Sequence, residues 1–117
     1  MGDDIAACRD KLRPGLALYI GGMGARSRNF YNALTRRLGY EAAAEAIQEH
    51  FLAGRRNDAA AAVPDALIDE ISLVGPPDMI RDRLQLWQEL AEDHWLGSLV
   101  LVGADAEAMQ VVAEAVL

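Results

Sequence analysis

Leu73-Val-Gly-Pro-Pro-Asp-Met-Ile80, running on through Leu90, and then Gly97-Ser-Leu-Val-Leu-Val102 decide how this chain is read. Gly75 marks a turn, and Pro76 and Pro77 start a helix where a missing N–H costs nothing. Asp78 sits in the first turn, where a carboxylate complements the helix dipole. Ile80, Leu84, Trp87 and Ala91 then recur at i, i+4, i+7 and i+11, the spacing of one buried helical face. Leu99 to Val102 is apolar on both faces, the pattern of a short central strand. Together the two stretches read as the last helix-to-strand step of an α/β barrel. After them Asp105 caps a final helix whose inner positions read as Met109, Val112, Ala113 and Val116.

Upstream of this stretch the pattern is helical. Asp3 or Asp4 caps a first helix carrying Ile5, Cys8 and Leu12, which Pro14 and Gly15 interrupt. Leu16 to Ile20 is a buried strand or the second half of a kinked buried helix, and periodicity alone does not choose. Gly21, Gly22 and Gly24 end it. Asn29 to Leu38 reads as a short helix closed by Gly39. Glu41 to Ala53 reads as a stronger one, with Ala43 or Ala44, Ile47, Phe51 and Leu52 inward and Glu45, Gln48 and Glu49 outward. Gly54 stops it. Asn57 or Asp58 caps a short turn over Ala59 to Ala62, and Pro64 begins a helix with Leu67, Ile68 and Ile71 on its apolar side. The sum is about six helices and one strand: a mainly α chain, with residues 1–72 a helical segment and 73–117 the barrel's end piece, within one domain.

The chain has 117 residues, whereas a complete (β/α)₈ barrel needs about 250. A single strand cannot satisfy its own backbone groups. The pattern therefore predicts that a partner supplies the strand's neighbours: a missing barrel portion or a second copy in a homodimer. Composition excludes other classes. The net charge of −7 and the scattering of the basic residues as pairs argue against nonspecific nucleic-acid binding, which needs a continuous positive surface. No apolar run approaches the ~18 residues of a membrane span. Cys8 is the sole cysteine, which fits a reducing, cytoplasmic setting. His50 and His94 have no partners at ligand spacing, so no metal site is expected. Ser27, Ser72 and Ser98 lack a nucleophile-elbow context. No strand opens a dinucleotide-binding glycine turn. The rings of Tyr19, Phe30, Tyr31, Tyr40, Trp87 and Trp95 read as core or interface anchors.

Six segments taken in order carry a resemblance. Leu16-Ala-Leu-Tyr-Ile-Gly-Gly-Met-Gly24, Asn29-Phe-Tyr-Asn32, Leu38-Gly-Tyr-Glu41, Phe51-Leu-Ala-Gly-Arg55, Val63-Pro-Asp65 and Leu73-Val-Gly-Pro-Pro-Asp78 resemble the C-terminal third of luciferase-like monooxygenases. The nearest branch is the deazaflavin (coenzyme F-420)-dependent oxidoreductases, similar to methylene-tetrahydromethanopterin reductases. The resemblance implies a TIM-like barrel in which F-420 or FMN, bound at the C-terminal ends of the strands, exchanges a hydride with substrate. It implies a helical insertion up to about Ile71, the seventh helix over Pro76 to Leu90, the eighth strand over Leu99 to Val102 and the last helix over Asp105 to Leu117. Strands one to seven, with their cofactor contacts, have no counterpart here, so the isolated chain is expected to bind no cofactor and to be inactive. The catalytic residues are not assigned.

The candidate cofactor contacts are Gly21, Gly22, Arg26, Arg28 and Asn29. Glycine lets a backbone approach a phosphate or ring closely, and it also makes a flexible helix exit. Guanidinium groups suit a phosphate or the polyglutamate tail of the deazaflavin, and they also suit plain solvated surface. The competing reading of the whole chain is a stand-alone helical interaction or scaffold module without catalysis.

Overall fold

The computed structural model describes residues 1–117. It contains seven α-helices and one π-helical turn, and no β-strand. In order these are α1 (Ile5–Ala17), the π turn (Leu18–Gly22), α2 (Phe30–Arg37), α3 (Glu41–Leu52), α4 (Arg56–Ala61), α5 (Asp65–Ile71), α6 (Pro77–Glu92) and α7 (Ala106–Val116). The chain divides into two compact units, Arg9–Ser72 and Met1–Cys8 with Leu73–Leu117.

Local signals place most helix ends. Asp4 Oδ1 accepts from the Ala7 amide at 3.0 Å, and Asp105 Oδ1 from the Ala108 amide at 2.8 Å, so each satisfies an N–H the helix cannot. Pro77 is the first residue of α6. Pro14 does not end α1, which continues to Ala17. Proline removes one hydrogen bond, and the intact turns on either side carry the helix through it. Leu16 to Ile20 takes the helical alternative, as the end of α1 and the start of the π turn. α4 begins at Arg56, behind Arg55 and without a side-chain cap, so the expected cap at Asn57 or Asp58 is corrected.

The strand expected over Leu99 to Val102 is corrected as well, since these residues have no regular structure. The physical reason is the one that made a lone strand improbable: extended backbone needs a neighbour for its N–H and C=O groups. Leu16–Ile20, the other candidate, is engaged in helix.

The unit Arg9–Ser72 buries Ile20, Ala44, Ile47, Ala59, Val63, Leu67 and Ile68. Arg9 Nε and Nη2 donate to the two carboxylate oxygens of Asp69 at 2.9 and 2.7 Å. This bidentate pair ties α1 to α5, and the hydrogen bond raises the already high pKa of the guanidinium. Arg13 donates to Asp10 at 2.8 Å and to the Val63 carbonyl and Asp65. In the other unit, Ile80 and Leu84 of α6 pack with Val111 and Val112 of α7, with Met1, Leu73 and Ala115 against them. The inward face of α7 is thus Val111 and Val112, and the expected Met109 and Val116 are exposed. Trp87 and Ala91 of α6 are exposed too, so the buried stripe ends at Leu84.

α6 ends in a Schellman motif. The His94 amide donates to the Ala91 carbonyl at 3.0 Å and the Trp95 amide to that of Leu90 at 2.9 Å. The residue in the left-handed position is His94, with φ 62°, where α2 and α3 have Gly39 and Gly54. A side chain there crowds the following carbonyl. His94→Gly is expected to stabilise the chain by about 1 kcal/mol, net of the entropy glycine adds to the unfolded chain. A higher urea midpoint at unchanged slope checks this, and a lower one counts against it.

Candidate functional site

The segment that carries the expected cofactor contacts is the π turn, the loop after it and the start of α2. Its carbonyls need donors because the i→i+5 spacing of a π turn breaks the regular helical ladder. Two asparagines supply them. Asn29 Nδ2 donates to the carbonyls of Tyr19 at 3.1 Å and Ile20 at 3.0 Å, while its Oδ1 caps α2 by accepting from the Asn32 amide at 3.0 Å. Asn32 Nδ2 donates to the Ile20 carbonyl at 3.0 Å and the Ala44 carbonyl at 2.8 Å. Its Oδ1 accepts from Arg36 Nε at 2.9 Å. Both asparagines are buried. The π turn, α2 and α3 are therefore joined by side-chain amides, each bond worth more in a dry surrounding than in water.

The two glycines of the turn face α3. A Cβ on Gly21 would stand 2.6 Å from Phe51 Cβ and 3.1 Å from the Ile47 carbonyl oxygen. A Cβ on Gly22 would meet the Phe51 ring, with Cζ at 2.8 Å. Glycine is required at both positions because α3 lies against the turn. The space that would receive a phosphate or ring on that side holds the Phe51 ring.

Of the five expected contacts, then, Gly21, Gly22 and Asn29 have structural partners within the unit. Arg26 and Arg28 lie exposed in the loop, which is pinned by the Arg28 amide donating to the Ala25 carbonyl at 2.8 Å. The residues present do not converge on a cradle for a planar cofactor. Elsewhere in this unit an open depression of about 360 Å³ is lined by Gly54, Arg55, Arg56, Asn57 and Asp58. There Arg55 Nε donates to His50 Nδ1 at 3.2 Å and pairs with Asp58 at 3.7 Å. No three His, Cys, Asp or Glu side chains gather as metal ligands. No helix is long and apolar enough to cross a membrane.

Sequence reasoning missed three buried polar groups: Asn32, Thr35 and Gln48. Thr35 Oγ1 donates to the Tyr31 carbonyl at 2.8 Å. Gln48, expected on the outer side of α3, is buried, and its Nε2 has no hydrogen-bond partner. A signal was there to be read: Asn29, Asn32 and Arg36 recur at helical spacing, which marks a polar stripe along one side of α2.

The model of a family described as luciferase-like monooxygenase matches residues 1–94. A protein of Mycobacterium tuberculosis (strain ATCC 25618 / H37Rv) named "Putative coenzyme F420-dependent oxidoreductase" is 40% identical over 86 residues, which are 74% of this chain. The chain spans about a quarter (25%) of the length of that relative. No solved structure matches the chain.

Proposed function

Because the chain belongs to the luciferase-like monooxygenase family, we propose that it is the C-terminal part of an F-420-dependent oxidoreductase, a fragment of a TIM-like barrel. In that reading hydride transfer takes place only in the assembled barrel. The observation that carries it is the 40% identity, over 74% of this chain, to a relative whose name specifies coenzyme F420. That name favours the deazaflavin over FMN. In the whole barrel the segment holding Gly21, Gly22, Arg26, Arg28 and Asn29 is the cofactor-facing candidate. Arg26 and Arg28 would supply charge for an anionic tail, while the glycines and Asn29 hold the turn that presents them. A single cysteine supports a cytoplasmic setting.

Alone, the chain is proposed to bind neither cofactor and to be inactive, since a small-molecule site needs several polar groups converging on a preformed cleft. Two arms test the reading. F-420 or FMN titrated into the isolated chain and followed by fluorescence and calorimetry is expected to give negligible binding; micromolar affinity for either overturns this part. Grafting residues 1–94 in place of the matching quarter of the Mycobacterium tuberculosis relative is expected to leave the relative's F-420 binding within about tenfold, which is 1.4 kcal/mol. A folded chimera that has lost binding counts against the family function and favours the stand-alone interaction module.

A further inference from the structure

α2 is turned inside out. Its buried side carries Asn32 and Thr35, at 3% and 5% exposure, while Phe30, Tyr31, Leu34 and Leu38 are 63%, 39%, 37% and 40% exposed. The outward side is also organised. Tyr19 and Tyr31 meet edge to face at 4.8 Å between ring centroids, and Phe30 and Tyr31 at 5.5 Å. Contiguous exposed apolar surface of this kind marks an interaction site, and aromatic rings are what such sites use.

The charges that neighbour this face along the chain, up to Glu41, have one sign. From Pro14 to Tyr40 the charged residues are Arg26, Arg28, Arg36 and Arg37, with no carboxylate among them. Arg36 is held by Asn32. Arg26, Arg28 and Arg37 form no ion pair within the chain. The complement lies at the other end of the same sequence. From Leu84 to Leu117 there are six carboxylates and no lysine or arginine. On α6, Asp82, Leu86, Glu89 and Leu90, with the C-cap residue Asp93, recur at i, i+4, i+7, i+8 and i+11, so they share one side. Leu86 and Leu90 are 60% and 37% exposed, and Asp82, Glu89 and Asp93 form no ion pair within the chain. The leucine stripe is thus acidic along one flank, with Arg83 beside its start, and its carboxylates are opposite in sign to the arginines near the aromatic face.

We propose that these two surfaces dock between copies of the chain, the outward stripe of α6 from one copy lying on the outward face of α2 of the next. The contact is heterologous, joining different surfaces on the two copies. Its charges set register and salt dependence, and its rings and leucines supply the apolar burial.

The test is sedimentation velocity across a concentration series at low and high ionic strength. The chain is expected to associate reversibly, with affinity falling about tenfold or more at high salt as the rim charges are screened. The triple variant Arg26→Glu/Arg28→Glu/Arg37→Glu and the triple variant Asp82→Arg/Glu89→Arg/Asp93→Arg are each expected to lose self-association. An equimolar mixture of the two is expected to regain it, because the reversed faces complement one another. Circular dichroism checks that each variant keeps its helix content. Should either triple variant unfold, Phe30→Ser and Leu86→Ser, at exposed positions, carry the test, each being expected to weaken association. A chain that stays monomeric at every concentration overturns the proposal. So does a mixture of folded variants that fails to associate, or self-association that neither salt nor these substitutions alter.

Discussion

Asn32→Leu is expected to lower stability by about 3 kcal/mol or more, a large share of what a small domain has. The two side chains share one branched heavy-atom skeleton, and leucine's bulkier methyls add some overpacking to the loss. The main loss is hydrogen bonding. The Asn32 amide is the donor to the carbonyls of Ile20 and Ala44 and the acceptor for Arg36 Nε, and the residue is buried. Leucine would take from the Ala44 carbonyl its side-chain donor, leave the Ile20 carbonyl with Asn29 alone, and deprive the half-buried Arg36 of this acceptor. Each abandoned buried polar group costs about 1–3 kcal/mol. Asn29 offers an internal comparison. Its amide also reaches the Ile20 carbonyl, so that oxygen keeps one donor in either variant; Asn29→Ala takes a side-chain donor from the Tyr19 carbonyl and the cap from α2, and is expected to cost less, about 1–2 kcal/mol. Urea midpoints of the two variants check the order. Asn32→Leu costing less than Asn29→Ala would mean that the Ala44 carbonyl and Arg36 find other partners readily.

The same network shows what the sequence could and could not disclose. Caps were legible because the donor and acceptor lie within three residues, as at Asp4 with Ala7 and Asp105 with Ala108. So were the helix starts at Pro77 and the closures at Gly39 and Gly54. The family was legible too, through an ordered set of short motifs. Leu99 to Val102 was not, because a strand is a property of two segments and only one was visible. The inner face of α2 misleads for a different reason. Phe30, Tyr31, Leu34 and Leu38 follow the helical apolar pattern, yet the structure buries the polar stripe, whose Asn29 and Asn32 amides donate to carbonyls of the π turn beside it. A hydrophobic period locates an apolar face; it does not say whether that face meets the chain's own core or something outside it. For the candidate site, Arg26 and Arg28 sit exposed, and the role of Gly21 and Gly22 depends on Phe51, some thirty residues away and beyond any local rule.

That dependence on Phe51 gives a prediction with an internal contrast. Gly21→Ala and Gly22→Ala are both expected to destabilise the chain, by about 2–3 and 1–2 kcal/mol respectively, since overpacked sites force neighbours to move. The obstacles differ. At Gly22 the three atoms nearest an added Cβ all belong to the Phe51 ring, and a ring is removable. At Gly21 it meets Phe51 Cβ at 2.6 Å and the Ile47 carbonyl oxygen at 3.1 Å, both fixed by the backbone of α3. Phe51→Ala on its own costs the burial of the ring and its contact with the Arg56 guanidinium at 5.3 Å. In that background Gly22→Ala is expected to lose most of its cost, a coupling well above the ~0.5 kcal/mol within which uncoupled sites add, while Gly21→Ala keeps its cost to within that limit. The double-mutant cycle thus separates two neighbouring glycines by which atoms oppose them. If Gly22→Ala costs as much without the ring as with it, the close approach of the turn to α3 is not what requires glycine at that position. The backbone there would then be free to face a ligand instead, which is the role the cofactor reading gives it.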